Sequence, residues 1–367
     1  MDMNNQQSGK LFFFALILAL LTFTGYMMII GRSILLPLVV AIVIWQVVVA
    51  MTEAIHQRSI GSFKLPYWLS GLLVFLGLFV ILNILFGIFA TEFGVFVEKL
   101  PEHQANLVAL LDTLPLGLLQ LIPAFSTGNI EEGLNTLLTT LFEGFSTYVT
   151  TVASSLAGGL SQASVVVVYV VFLMVEQGTY SKKLMAMFPS DEQRNDAAGI
   201  LKSVGDNITD YVGIKTWISF LLGVAVFIVL WLLRVDHATV WAILSFLLNY
   251  IPFIGPIIAI IFPFLTAILS STDWTWIIGV TVAVTLIQFI FGYMIEPRMM
   301  GNRLGVSPLV VLISLSIFGG IWGLTGMFLS VPLTVILIIV FGHFQSTRWL
   351  AILLSETGEI PEVDHMH

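Results

Sequence analysis

Two stretches of this sequence set polar groups and helix breakers inside long apolar runs, and the chemistry they suit is passage of a solute rather than bond making. The first is Asn249-Tyr250-Ile251-Pro252-Phe253-Ile254-Gly255-Pro256, in the middle of a run from Ala238 to Thr272 without formal charge. The second is Gly319-Gly320-Ile321-Trp322-Gly323-Leu324-Thr325-Gly326, with Pro332 beyond it, in a run from Leu304 to Thr347 where only His343 titrates. Breaks of this kind free backbone N–H and C=O groups and expose helix ends at membrane depth, where a solute can use them. Between the two runs stands Glu296-Pro297-Arg298-Met299-Met300-Gly301. A carboxylate at the end of an apolar helix can pair with the nearby arginine, take up a proton or cation, or mark the interface.

The elements that must position these residues are membrane helices. Of 367 residues, 58% are hydrophobic and only 10% charged, against about 25% charged in soluble domains. Charges taken as stops give spans at Leu11–Ile30, Ile34–Met51, Trp68–Thr91, Val152–Val175, Val212–Leu233 and Trp274–Ile295. The first is too long for the apolar part of a signal peptide and reads as a retained helix. The neutral runs Ala238–Thr272 and Leu304–Thr347 would measure roughly 52 and 66 Å as single helices, so each must fold back at its break as a hairpin. The predicted class is an all-α polytopic membrane protein of about eight membrane segments, two of them broken-helix hairpins. Residues 1–91 form a three-span region, 92–151 an insertion, 152–347 the transport core with a loop at 177–211, and 348–367 a tail.

Lysine and arginine counts orient the chain. Lys182, Lys183, Arg194 and Lys202 place the loop 177–211 in the cytoplasm, with both termini. The segment Glu92–Thr151, with seven carboxylates and one lysine, lies outside. Its apolar residues recur at helical spacing, so it is expected to form amphipathic helices on the membrane face or against sister subunits, or a lid over an exit path. Gln46, Asn83 and Gln288 inside spans are expected to bond between helices. Lys215 is taken to snorkel from a nearby helix end and is given no transport role.

Several activities are excluded. The formal charge of −8 lacks the basic excess of a nucleic-acid binder. There is no cysteine and no H-E-x-x-H, and His365 and His367 sit in an acidic tail, so no catalytic metal or other cofactor is expected. No G-x-x-x-x-G-K-[ST] is present to hydrolyse ATP. An enzyme is not expected, for want of a nucleophile and base constellation.

At LNYIPFIGP (Leu248–Pro256), EPRMMGNRLGVSPLVVLISL (Glu296–Leu315) and GLTGMFLSVPLT (Gly323–Thr334) the chain resembles the AI-2E transporter family of autoinducer-2 exporters and PerM-like permeases. The resemblance implies a bacterial inner-membrane secondary transporter or permease, a homo-oligomer with a pentamer as its size, and export of the quorum-sensing furanone autoinducer-2 or another small polar solute. A sodium(lithium)/proton antiporter is the alternative, and a non-transporting scaffold the second alternative. Its partners would be the lipid bilayer and either an autoinducer-2-like solute or a monovalent cation and proton, with no nucleic acid. Candidate path residues are Asn249, Tyr250, Pro252, Gly255, Pro256, Gly319, Gly320, Gly326 and Pro332. Candidate gate or ion-coupling residues are Glu296, Arg298 and Gly301, with Glu296 and Arg298 expected to act together. No catalytic residue is carried over.

Overall fold

The computed structural model describes residues 22–57, 66–99, 163–179, 190–300 and 305–358, with a few isolated positions besides. Among the described residues the regular elements are helices, and one isolated antiparallel bridge joins Val306 to Ser355. After a helical stretch at 22–30 come α1 (Arg32–Gln57), α2 (Tyr67–Lys99), α3 (Ala163–Thr179), α4 (Asp191–Leu232), α5 (Ala238–Leu248), α6 (Ile254–Ser270) and α7 (Trp274–Ile290). A π-helical turn, Phe291–Ile295, leads into α8 (Glu296–Met300), followed by α9 (Pro308–His343) and α10 (Arg348–Leu354). Among the described residues, five stretches are long and apolar enough to cross a bilayer: Arg32–Glu53, Tyr67–Phe96, Gln193–Leu232, Trp274–Met300 and Pro308–His343. The chain is an all-α polytopic membrane protein.

The predicted span Val152–Val175 is described from residue 163 on; of Leu11–Ile30, residues 11–15, 17, 18 and 21 lie outside the described residues, as does nearly all of the insertion beyond residue 99. The segment 177–211 is not loop throughout. From Asp191 it is the first half of α4, a helix of 42 residues, or about 63 Å. The polar beginning hides this, but a buried stripe runs on from Ile208 and Tyr211 through Lys215 to Leu222, Val226 and Leu230 at steps of three and four, the spacing of one helix face.

The contacts divide the chain into two compact groups. One comprises residues 47–161 and 206–305. Here α5 and α6 form a hairpin, closed at its open end by Ser270 Oγ donating to Asp236 Oδ2 at 3.2 Å. Trp241 of α5 stacks on Phe262 of α6 at 5.4 Å, and the Phe96 ring of α2 meets Trp241 edge-on at 5.0 Å. At the same end Trp276 Nε1 donates to Leu233 O at 2.9 Å, tying α7 to α4. With 11 residues, α5 is about 16 Å long, well short of a core about 30 Å thick. The hairpin begins and ends at the Asp236 end.

The other group comprises residues 1–46, 162–205 and 306–367. Its hairpin is α9, broken at Gly323 (φ 64°, ψ −143°) into arms of about 22 and 30 Å. The arms are antiparallel, since Thr334 Oγ1 donates to Ser314 Oγ at 2.8 Å across the break. Arg32 donates to Trp322 O at 3.3 Å, satisfying a carbonyl that the end of the first arm leaves open. Trp322 Nε1 in turn donates to Met28 O at 3.1 Å. Gln46 packs its amide against Gly205.

Candidate functional site

The most polar buried place described in the 47–161 and 206–305 group is built on one turn of α4. Lys215 and Ser219 lie a turn apart on its buried stripe, 2% and 0% exposed. The Lys215 ammonium is held in an ion pair by the Glu296 carboxylate at the start of α8. Thr216 and Tyr250 share a hydrogen bond between their hydroxyls at 2.6 Å, and Asn249 Nδ2 donates to Ser219 Oγ at 2.9 Å. Thr216 Oγ1 is also 2.6 Å from Val212 O. A hydroxyl has one proton, so when Thr216 donates to that carbonyl, Tyr250 is the donor to Thr216.

The tip of the hairpin is strained. Phe253 holds φ 62° and ψ −51°, and Ile254 N donates to Pro252 O at 2.7 Å, the pattern of a γ-turn with positive φ, a rare conformation that stores energy in a residue bearing a Cβ. Gly255 follows because a Cβ there would lie 1.9 Å from Leu248 O, so the second arm can start only where no side chain intervenes. Pro256, in the first turn of α6, lacks an N–H that the helix start could not use anyway. Asn249, Tyr250, Pro252, Gly255 and Pro256 are therefore brought together, and Asn249 and Tyr250 fasten the tip to α4.

Lys215 reverses the sequence expectation. It is not near a helix end: it lies about 26 Å from the Leu232 end of α4, with the polar half of the helix on its other side. It does not snorkel but is buried against Glu296. A lysine in register with Tyr211, Ser219 and Gly223 at i+4 steps was the signal available. Arg298 is exposed, and among the described residues no ion pair joins it to Glu296, whose partner is Lys215. Gly301 lies outside the described residues. Asn83 bonds within its own helix, Nδ2 to Phe79 O at 2.8 Å, rather than to a neighbour. Gln288 is buried, but its Nε2 has no hydrogen-bond partner.

Gly319, Gly320, Gly326 and Pro332 belong to α9 in the other group and are described within it. A Cβ on Gly326 would lie 1.9 Å from Phe318 O, the same device as Gly255, and the space above Gly319 is filled by the Met327 side chain. Gly320 lies within the first arm, and Pro332 is buried in the second. No group of three or more His, Asp or Glu among the described residues could hold a metal ion.

The buried pair sits where charge is expensive. Removing one partner of such a pair typically costs 3–5 kcal/mol, because the other is left buried and uncompensated. Comparison with known proteins gives the family. A family model described as AI-2E family transporter matches residues 11–346. A candidate transport protein of Haemophilus influenzae is 34% identical over 331 residues, 89% of this chain and 90% of its own length. The candidate transport protein YhhT of Escherichia coli K12 is 31% identical over 74% of this chain and 75% of its own. The AI-2 transport protein TqsA of the same strain is 33% identical over 58% of this chain and 61% of its own.

Proposed function

The chain belongs to the AI-2E transporter family, and from that premise we propose that it carries a small polar solute of the autoinducer-2 type out of the cell without hydrolysing ATP. The observation that carries this reading is the hairpin tip fastened to the apolar helix α4 beside the Lys215–Glu296 pair. Among the contacts that hold the tip, the side-chain hydrogen bonds of Asn249 and Tyr250 are each worth about 1 kcal/mol net, and a solute can take over these groups when the tip moves. Asn249, Ser219, Tyr250 and Thr216 are the donors and acceptors a hydroxylated solute needs. The ion pair closes the path on the cytoplasmic side, and its opening is the larger barrier. On this reading the protein works in the bacterial inner membrane as a homo-oligomer, with both termini in the cytoplasm.

Efflux of a furanone of this type from preloaded proteoliposomes tests the proposal. Flux above protein-free vesicles is expected, with Glu296→Gln and Pro252→Ala altering it at equal protein abundance. Unaltered flux in both variants would sink the site assignment.

A second reading, sodium(lithium)/proton antiport, gains one specific observation: a half-buried carboxylate pairs with a buried ammonium that a cation or proton could replace. Sodium-driven proton movement abolished by Glu296→Gln, without furanone efflux, would select it.

A further inference from the structure

The aim of Glu296 depends on the helix that carries it. The buried residues of α7 are Ile277, Val280, Val284 and Gln288, a stripe at steps of three and four. Seven residues bring an α-helix back to the same face within about 20°, so in α geometry the next such position after Gln288 is Ile295. Glu296, eight residues on, would then be turned about one further residue, roughly 100°, off the stripe. Yet it reaches Lys215, one of the most buried charges described.

The π turn accounts for this. The Glu296 N–H bonds to Phe291 O, five residues back instead of four. One residue is thus absorbed by the wider turn, and eight residues advance the helix about as far as seven would in α form. Pro297 supplies the cause. In an α-helix its ring would press on the carbonyl four residues earlier, that of Tyr293, and it has no N–H to give. Close packing at Gly292 does not force the wide turn, since nothing lies within 4 Å of where a Cβ there would stand.

We infer that Pro297 is the positioning residue for Glu296, setting the π register that turns the carboxylate onto Lys215. The geometric part stands by itself; its bearing on transport rests on the proposed role of the pair.

The test is a double-mutant cycle between Lys215→Met and Glu296→Leu, read as melting temperatures of the purified full-length protein, in three backgrounds. In the native background the two substitutions are coupled, the second lowering the midpoint less than it does alone. In Pro297→Ala the helix relaxes to α, Glu296 turns away, and the two effects become additive. In Pro297→Ala with Gly292 deleted, the helix is α throughout, the spacing is seven, and coupling returns. Coupling that persists in Pro297→Ala overturns the inference, as does coupling that stays lost after the deletion, which would mean that loss of the proline merely loosens the helix. If Pro297→Ala alone does not fold, the deletion variant still decides, because recovery of a folded, coupled protein by removing a residue has no other basis here. Furanone efflux measured in the same variants separates the two readings: coupling that is lost and restored while flux does not follow leaves the register inference standing and removes the pair from transport.

Discussion

Breaking the Lys215–Glu296 pair from its two sides gives unequal results that can be worked from burial. The lysine side chain is 3% exposed and the glutamate side chain 23%. Glu296→Leu strands an ammonium with almost no access to water, so the full loss of about 3–5 kcal/mol for an uncompensated buried charge is expected. Lys215→Met leaves a carboxylate with nearly a quarter of its side chain open, which can hydrate or take up a proton. The loss should then be smaller, about 1–3 kcal/mol, the range of an unsatisfied polar group. The double substitution, which leaves two apolar side chains of similar volume, should lie above Glu296→Leu alone, since replacing both partners of a buried pair is often close to neutral. Thermal or denaturant unfolding of the four purified proteins gives the cycle. Equal, additive losses below about 0.5 kcal/mol, the level of a surface substitution, would refute the claim that the pair is buried and coupled.

Gly255→Ala and Gly326→Ala should each prevent correct hairpin closure, because the new Cβ falls 1.9 Å from a carbonyl oxygen of the preceding arm; the yield of monodisperse protein measures this, and normal yield in both would contradict the hairpin geometry. Phe253→Gly should raise the melting midpoint, since relief of a positive-φ side chain of about 1–3 kcal/mol exceeds the entropy a glycine adds to the unfolded chain, about 0.5–1 kcal/mol, and the ring, 43% exposed, contributes limited burial. Gly323→Ala should lower the midpoint through its φ of 64°, whereas Gly320→Ala, with open space and helical backbone, should be neutral or slightly stabilising; equal effects would refute the placement of the break.

Both hairpins were legible in the sequence because prolines and glycines in uncharged runs too long for one helix leave no other arrangement. Even the tight positions, Gly255 and Gly326, fall within the stretches singled out by composition. What could not be read was pairing between distant elements. Reading charge as a stop made Lys215 the border of a span, although Ile208, Tyr211 and Lys215 continue the buried stripe of α4 without a break. The partner of Glu296 was sought at Arg298, its neighbour in sequence, when the π turn aims the carboxylate at a residue 81 positions away. Asn83 shows the converse: a polar side chain in an apolar helix can satisfy itself on the preceding turn and need no neighbour.

The two hairpins solve one problem by one means. A chain that reverses inside apolar surroundings must bring the second arm close to the carbonyls that end the first, and those carbonyls must still find donors. In both, the close approach is made by a glycine packed on a carbonyl oxygen, Gly255 on Leu248 and Gly326 on Phe318. The remaining requirements are met differently. At Gly323 the open carbonyl of Trp322 receives the Arg32 guanidinium, a fixed charge-assisted contact. At Phe253 the chain closes on itself through a strained γ-turn, and neutral side-chain contacts from Asn249 and Tyr250 fasten it to α4. Strain at the tip lowers the energy needed to move it, whereas an arginine cap on an unstrained glycine raises it. On this ground the 238–272 hairpin is the mobile one and the α9 hairpin the fixed one, and hydrogen exchange should find the amides around Phe253 opening more readily than those around Gly323; the reverse order would move the candidate path to α9.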